Sequence, residues 1–310
     1  MGIGRNILLW GSQNRWIENQ FRRRRFAKKA VARFIPGEDA DSALAESKRL
    51  NDQDITTVLT YLGENVSSID ETRAATRQYK ELLDKTHVLQ IDSHISVKLT
   101  QLGLDVDVGE TVRNLEALVE HAASVANIVW VDMEGSNYAD ATIDTFRAVR
   151  AKHDNVGLCL QAYLHRTPDD LEELLSMRSA IRLVKGAYKE PARIAIPRKQ
   201  DVDAAFVKLS TRLAEQPPKG PDIRHGIATH DMKVISELSR LGAERQWDCK
   251  AYEVMMLYGI HRLDQLRLVD AGVPMRVLVS YGEAWFAWYM RRLAERPANV
   301  GFVLRSMFIK

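Results

Sequence analysis

Ile181-Arg182-Leu183-Val184-Lys185-Gly186-Ala187-Tyr188 reads as a short strand, Ile181–Val184, that runs into a glycine turn at Gly186. A guanidinium, an ammonium and a phenol fall on or just after a run with the composition of a buried strand. Charges in such a place are costly unless an anion or an electron-rich ring partners them. The stretch is therefore both a fold element and a candidate site. On a regular strand Arg182 and Lys185 face opposite sides, so the strand must end or twist between them.

Outward from this stretch the same unit recurs. Apolar, β-branched runs lie at Ile55–Leu62, His94–Leu99, Ile128–Met133, Val156–Ala162, Ile181–Val184, Gly226–Thr229, Lys250–Leu257 and Met275–Val279. Helical patterns separate them: Asp70–Thr86, Glu110–Ala126, Ala139–His153, Pro168–Met177, Asp201–Glu215, Met232–Leu241, Gly259–Ala271 and Glu283–Arg296. Strands alternating with helices require parallel pairing, and eight such units predict a closed (βα)8 TIM barrel of α/β class. A further helix, Asp39–Asn51, follows Pro36-Gly37 and has Asp39 or Asp41 as its cap. The expected organisation is an N-terminal helical segment, 1–53, on a catalytic barrel, 54–310.

The totals agree with an ordinary globular enzyme. The chain has 310 residues, 45% hydrophobic and 27% charged, with a net charge of +3 that is too small to imply a nucleic-acid partner. Cys159 and Cys249 form no metal or disulfide pattern, so a cytoplasmic setting is expected. No run is long and apolar enough for a membrane span. Arg15–Phe34 mixes apolar residues with the basic block Arg22–Arg25, Lys28 and Lys29. That pattern fits a packed helix with a solvated edge, or a basic amphipathic helix that touches anionic lipid at the inner face of a membrane.

In a barrel of this kind function gathers where strands end. Polar residues do gather there: Glu64, Lys98, Asp132 and Glu134, Gln161 and His165, Arg182 and Lys185, Thr229 and His230, Glu253, Tyr281 and Glu283. Period-two alternation places Asp132 and Glu134 on one face of their strand. The last helix carries Trp285, Phe286, Trp288 and Tyr289 ahead of Arg291-Arg292, a combination suited to a small carboxylate with an apolar body. A cationic helix end that complements the dipole is the structural alternative. Asp132, Glu134 and His230 as metal ligands, or Lys185 as a Schiff-base amine, would make a lyase. A lipid- or nucleic-acid-binding module led by the basic block would leave the ring of charges unexplained.

The motifs SVKL (Ser96–Leu99), VDME (Val131–Glu134), LQAYLHR (Leu160–Arg166), RLVKGAY (Arg182–Tyr188), THD (Thr229–Asp231) and RRLAERPAN (Arg291–Asn299) together resemble proline dehydrogenase, from about Arg33 onward. The resemblance implies a distorted barrel that holds FAD non-covalently, oxidises proline to 1-pyrroline-5-carboxylate and passes the electrons to a membrane quinone. By matching motif, Lys98, Arg291 and Arg292 would hold the substrate carboxylate, and Glu64 would close a gate by pairing with Arg291. Arg182 would sit by flavin N5 and Asp132 beside the reacting centre. Gln161, Val184, Lys185, Gly186, Ala187, Tyr188, Thr229 and His230 would line the FAD, with Met133 beside it and Glu295 near its ribityl or phosphate end. No metal is implied.

The chain departs from the family on strand seven, where the usual E-F-Q-M-L becomes Glu253-Val254-Met255-Met256-Leu257, and at two pocket positions. Leu278 and Trp288 stand where it usually has tyrosines that shape the proline pocket. Loss of a phenol opens space on the ring side, so a hydroxylated or N-substituted proline is an alternative substrate.

Overall fold

The structure is a computed structural model that describes residues 31–63, 66–219, 223–248, 251–286 and 290. Eight parallel strands close a barrel in sequence order, β1 to β8. They are Thr56–Tyr61, Ser93–Lys98, Val129–Asp132, Val156–Gln161, Ala180–Val184, His225–Ala228, Tyr252–Leu257 and Met275–Tyr281. Closure is by β1 on β8, with Thr57 opposite Val277 and Leu59 opposite Val279. Every predicted strand is present, as is every predicted helix that falls within the described residues. Among the described residues no helix is long and apolar enough to cross a membrane.

Local chemistry accounts for the helices. Ahead of the barrel, α1 (Ala40–Asn51) is capped by Asp39, whose carboxylate accepts from Ser42 N at 2.7 Å. Ser68 caps α2 (Ile69–Val88), and a short α3 (Leu99–Leu102) turns the chain after β2. Asp107 caps α4 (Val108–Ser124); α5 is Ala139–Arg150, and α6 (Thr167–Ser176) starts on Pro168. Next come α7 (Lys199–Ala214), α8 (Met232–Arg245, capped by Asp231) and α9 (Arg262–Asp270). The main core lies between strands and helices, and α1 shares it through Ala43, Leu44 and Leu50.

The barrel interior has a smaller core of its own: Val58, Ile128, Trp130, Ala180 and Met255, with Leu278 half-buried against it. Trp130 fits because its neighbour on β4 is Gly157, where a Cβ would stand 2.5 Å from the indole ring. Below this layer, at the strand starts, Arg276 donates from Nε to Glu253 Oε1 at 2.7 Å and from Nη1 to Thr57 O at 2.9 Å. Sequence reasoning put Glu253 in the ring of strand-end charges. It is the second residue of β7, so it lies at the opposite mouth and neutralises Arg276.

Candidate active site at the strand C-termini

Arg182 is the centre of the upper interior. It sits on β5, 3% exposed, with its guanidinium over the Trp130 ring at 5.4 Å. Nη2 pairs with Asp132 and also donates to Ser96 Oγ at 2.9 Å. Ser96 in turn donates to Asp132 Oδ1 at 3.1 Å. Burial opposes the charge on Arg182, yet Asp132 and Cys159 hold its pKa above the ordinary value. Nη1 is buried and, among the described residues, donates to no oxygen or nitrogen, with the Cys159 sulfur beside the guanidinium. A strong donor left unsatisfied in a dry interior is costly, so it marks a place where a ligand acceptor fits.

A second orphan lies nearby in the sheet. Gln161, at the end of β4 and 2% exposed, donates from Nε2 to Met133 O at 3.0 Å and Glu134 O at 2.8 Å. Its Oε1 is buried and has no partner among the described residues. One orphaned donor and one orphaned acceptor, on adjacent strands in register (Cys159 opposite Arg182, Gln161 opposite Val184), match a flat heterocycle that presents both kinds of edge.

β5 ends at Val184, as the opposed directions of Arg182 and Lys185 require. Gly186 has φ +115°, and a Cβ there would stand 2.2 Å from the Tyr163 ring. Glycine is therefore required by the turn, as the sequence suggests, and by the close approach of Tyr163. The Lys185 ammonium is held by Asp203 at 2.6 Å and Asp231 at 3.1 Å, with Phe206 beneath it at 5.8 Å, so two carboxylates offset its charge. Ala187 and Tyr188 are exposed.

Strand six leads into a cavity of about 520 Å³ lined by Lys185, Thr229 and His230, together with Met232, Lys233 and His261. Thr229 is held by its N–H to Met255 O at 3.1 Å. His230 Nε2 accepts from Leu257 N at 3.4 Å, and its ring stacks on His261 at 6.1 Å. The last three lining residues escaped sequence reasoning, although Met232 and Lys233 open the helix that follows the strand. A larger cavity of about 820 Å³ lies at the opposite mouth, among His94, Asp92, Arg224 and Arg276. Burial, with Arg276, Arg182 and Arg224 nearby, pushes the His94 pKa well below its usual value.

Lys98 ends β2 opposite Asp132 and makes no ion pair among the described residues. Glu134 lies past the end of β3, off the face predicted for it, and its carboxylate accepts from Thr100 Oγ1 at 3.0 Å. Burial raises its pKa against the pull of Lys98. His165 bonds Ala192 O at 2.9 Å, a structural role. Trp285 donates to Glu38 Oε1 at 2.6 Å and Phe286 is fully buried. Among the described residues the one group with metal-ligand spacing is Glu116, Glu120 and His153, which excludes Asp132, Glu134 and His230. Glu64, Trp288, Arg291, Arg292 and Glu295 lie outside the described residues, as does the basic block Arg22–Lys29.

Comparison with known proteins gives one answer at the level of sequence. The family model described as Proline dehydrogenase matches residues 43–305. Proline dehydrogenase 2 of Bacillus subtilis subsp. natto is 36% identical over 307 residues, 99% of each chain. Proline dehydrogenase of Deinococcus radiodurans is 34% identical over 280 residues, 89% of each chain. Among solved structures, proline utilization A from Bdellovibrio bacteriovorus inactivated by N-propargylglycine superposes with a TM-score of 0.80 at 22% identity, covering 95% of this chain and 38% of that one. That likeness concerns the barrel fold.

Proposed function

The chain belongs to the proline dehydrogenase family and is an oxidoreductase that acts on proline, and from that premise we propose that it oxidises L-proline to 1-pyrroline-5-carboxylate with FAD as its cofactor. FAD, when bound, supplies the two-electron acceptor for the hydride that leaves the ring carbon beside the amine. The remaining work falls to the chain's own residues. Loss of the hydride leaves an iminium cation, which the carboxylate of Asp132 stabilises. Arg182 would offer Nη1 as a donor to that acceptor and so favour negative charge there. Gln161 would offer Oε1 as an acceptor to the cofactor, and Met133, Thr229, His230 and Val184–Tyr188 would line it. By the family's motifs, Lys98, Arg291 and Arg292 would hold the substrate carboxylate, Glu64 would gate the site by pairing with Arg291, and Glu295 would serve the ribityl or phosphate end.

The observation that carries the reading is the buried, unsatisfied Nη1 of Arg182 beside Asp132. Residues 1–53 we take as a helical segment on the barrel of 54–310. Its basic block would touch the anionic inner face of a membrane, from which a quinone draws the electrons. The test is optical. The purified protein is expected to show an oxidised-flavin spectrum that bleaches on anaerobic addition of L-proline; a protein that neither carries nor takes up FAD overturns the proposal.

Leu278 supports a second substrate. It is half-buried in the barrel interior where the family usually has a tyrosine, so it is smaller there and supplies no phenol. If modified prolines are used, kcat/KM for hydroxyproline or N-methylproline will approach that for L-proline. A ratio below about one in a hundred, the scale of a site that rejects a misfit by shape alone, contradicts it.

A further inference from the structure

Arg182 must do more than be charged: its fork has to be aimed so that one edge is free and the other is held. Asp132 alone does not achieve this. A lone carboxylate on a guanidinium leaves several arrangements open, from end-on to bidentate. Trp130 fixes the plane of the fork by stacking, but a ring face does not select a rotation within that plane. The group that selects it is Ser96. Its Oγ lies 2.9 Å from Nη2 of Arg182 and 3.1 Å from Oδ1 of Asp132, and the residue has no exposure to solvent.

We propose that Ser96 is a positioning residue for the reaction: its hydroxyl accepts from Arg182 Nη2 while donating to Asp132 Oδ1, and so fixes Nη1 as the edge offered to the electron acceptor. The three groups form a closed triangle on β2, β3 and β5. A hydroxyl suits the task because it donates and accepts at once without adding charge. A second carboxylate at this point would neutralise Arg182, and an amide would not fit the same small space between strands. The backbone supports the placement. Ser96 is two residues before Lys98 on β2, so both face the barrel interior, and register pairs it with Trp130 on β3.

The inference rests on the flavin reading above, and its test separates the two. Wild type, Ser96→Ala and Ser96→Thr are loaded with FAD, and the midpoint potential of the bound flavin is measured alongside kcat and KM for L-proline. With the hydroxyl gone, Arg182 no longer holds one orientation. The potential is then expected to fall by about 30 mV, which is a tenfold weaker hold on the reduced form in a two-electron couple. On the same reasoning kcat falls about tenfold with KM near the wild-type value, and Ser96→Thr restores both. Should the alanine variant lose its flavin, Ser96→Val and Ser96→Thr, which share a shape and differ in the hydroxyl, decide the matter. Retention by threonine and loss by valine uphold the proposal, and loss from both overturns it. It is also overturned if Ser96→Ala keeps the wild-type potential and kcat. A wild-type protein that takes up no FAD defeats the parent reading instead.

Discussion

Among the described residues, two arginines buried in the barrel interior each meet a carboxylate, and the pairs are built to different ends. At the strand starts Arg276 meets Glu253, whose side chain is 2% exposed; Thr57 O takes a second donor, and none of its nitrogens is both buried and partnerless. Near the strand ends Arg182 meets Asp132, whose side chain is 21% exposed, and one of its nitrogens is buried and donates to no oxygen or nitrogen among the described residues. Both guanidiniums are about equally dry. The difference is completeness: a closed set of partners holds strands together, and an open set leaves binding capacity for a ligand.

If that contrast is right, cutting the two pairs gives opposite phenotypes. Arg276→Met strands Glu253 in the interior and is expected to cost about 3–5 kcal/mol of stability in a denaturant melt, with kcat of the folded fraction unchanged. Arg182→Met removes the donor aimed at the reacting centre, so kcat is expected to drop about 10²–10³-fold. Its effect on the melting curve should be the smaller of the two, because Asp132 can still reach water. Equal stability losses, or a larger kinetic defect at Arg276, would break the comparison.

The lower end has a second signature in its pH response. His225, fully buried at the start of β6, accepts from Ile181 N at 3.1 Å and bonds Gln216 O at 2.9 Å, so the neutral ring is satisfied. Burial holds its pKa down to about 4, against 6.5 for the free group. The unfolded chain therefore binds more protons between these values. The stabilisation is present in full above pH 6.5 and lost as pH falls toward 4, on the order of 3 kcal/mol. Denaturant melts from pH 7 to 4 are expected to show this slope, and His225→Asn to flatten it. Smaller still is the effect of Gly157→Ala. Its new methyl meets the Trp130 ring, at an expected overpacking cost of about 1–3 kcal/mol in the same melts. It should also lower kcat, because Trp130 is the surface on which Arg182 rests.

Much of this architecture was legible in the chain. Eight apolar runs and the helices between them specify the closed barrel, and the conflict between Arg182 and Lys185 locates the end of β5 within a residue. What alternation could not supply is position along the strand axis. It placed Glu253 with the strand ends although that residue opens its strand, and kept Glu134 on β3 although the strand stops at Asp132. Long-range partners were also hidden: Asp203 and Asp231, which hold the Lys185 ammonium, lie 18 and 46 residues from it. The triangle of Ser96, Asp132 and Arg182 spans three strands, and only the register between them makes it visible. The same period of two that paired Asp132 with Glu134 could have pointed to Trp130.

The most direct test of the central claim is a crystal structure of the protein loaded with FAD, read at one atom. The account predicts Arg182 Nη1 within hydrogen-bonding distance, about 3 Å, of the isoalloxazine ring, with Nη2 still on Asp132 and Ser96. A ring bound elsewhere, or Nη1 turned to a protein acceptor in that complex, would contradict it.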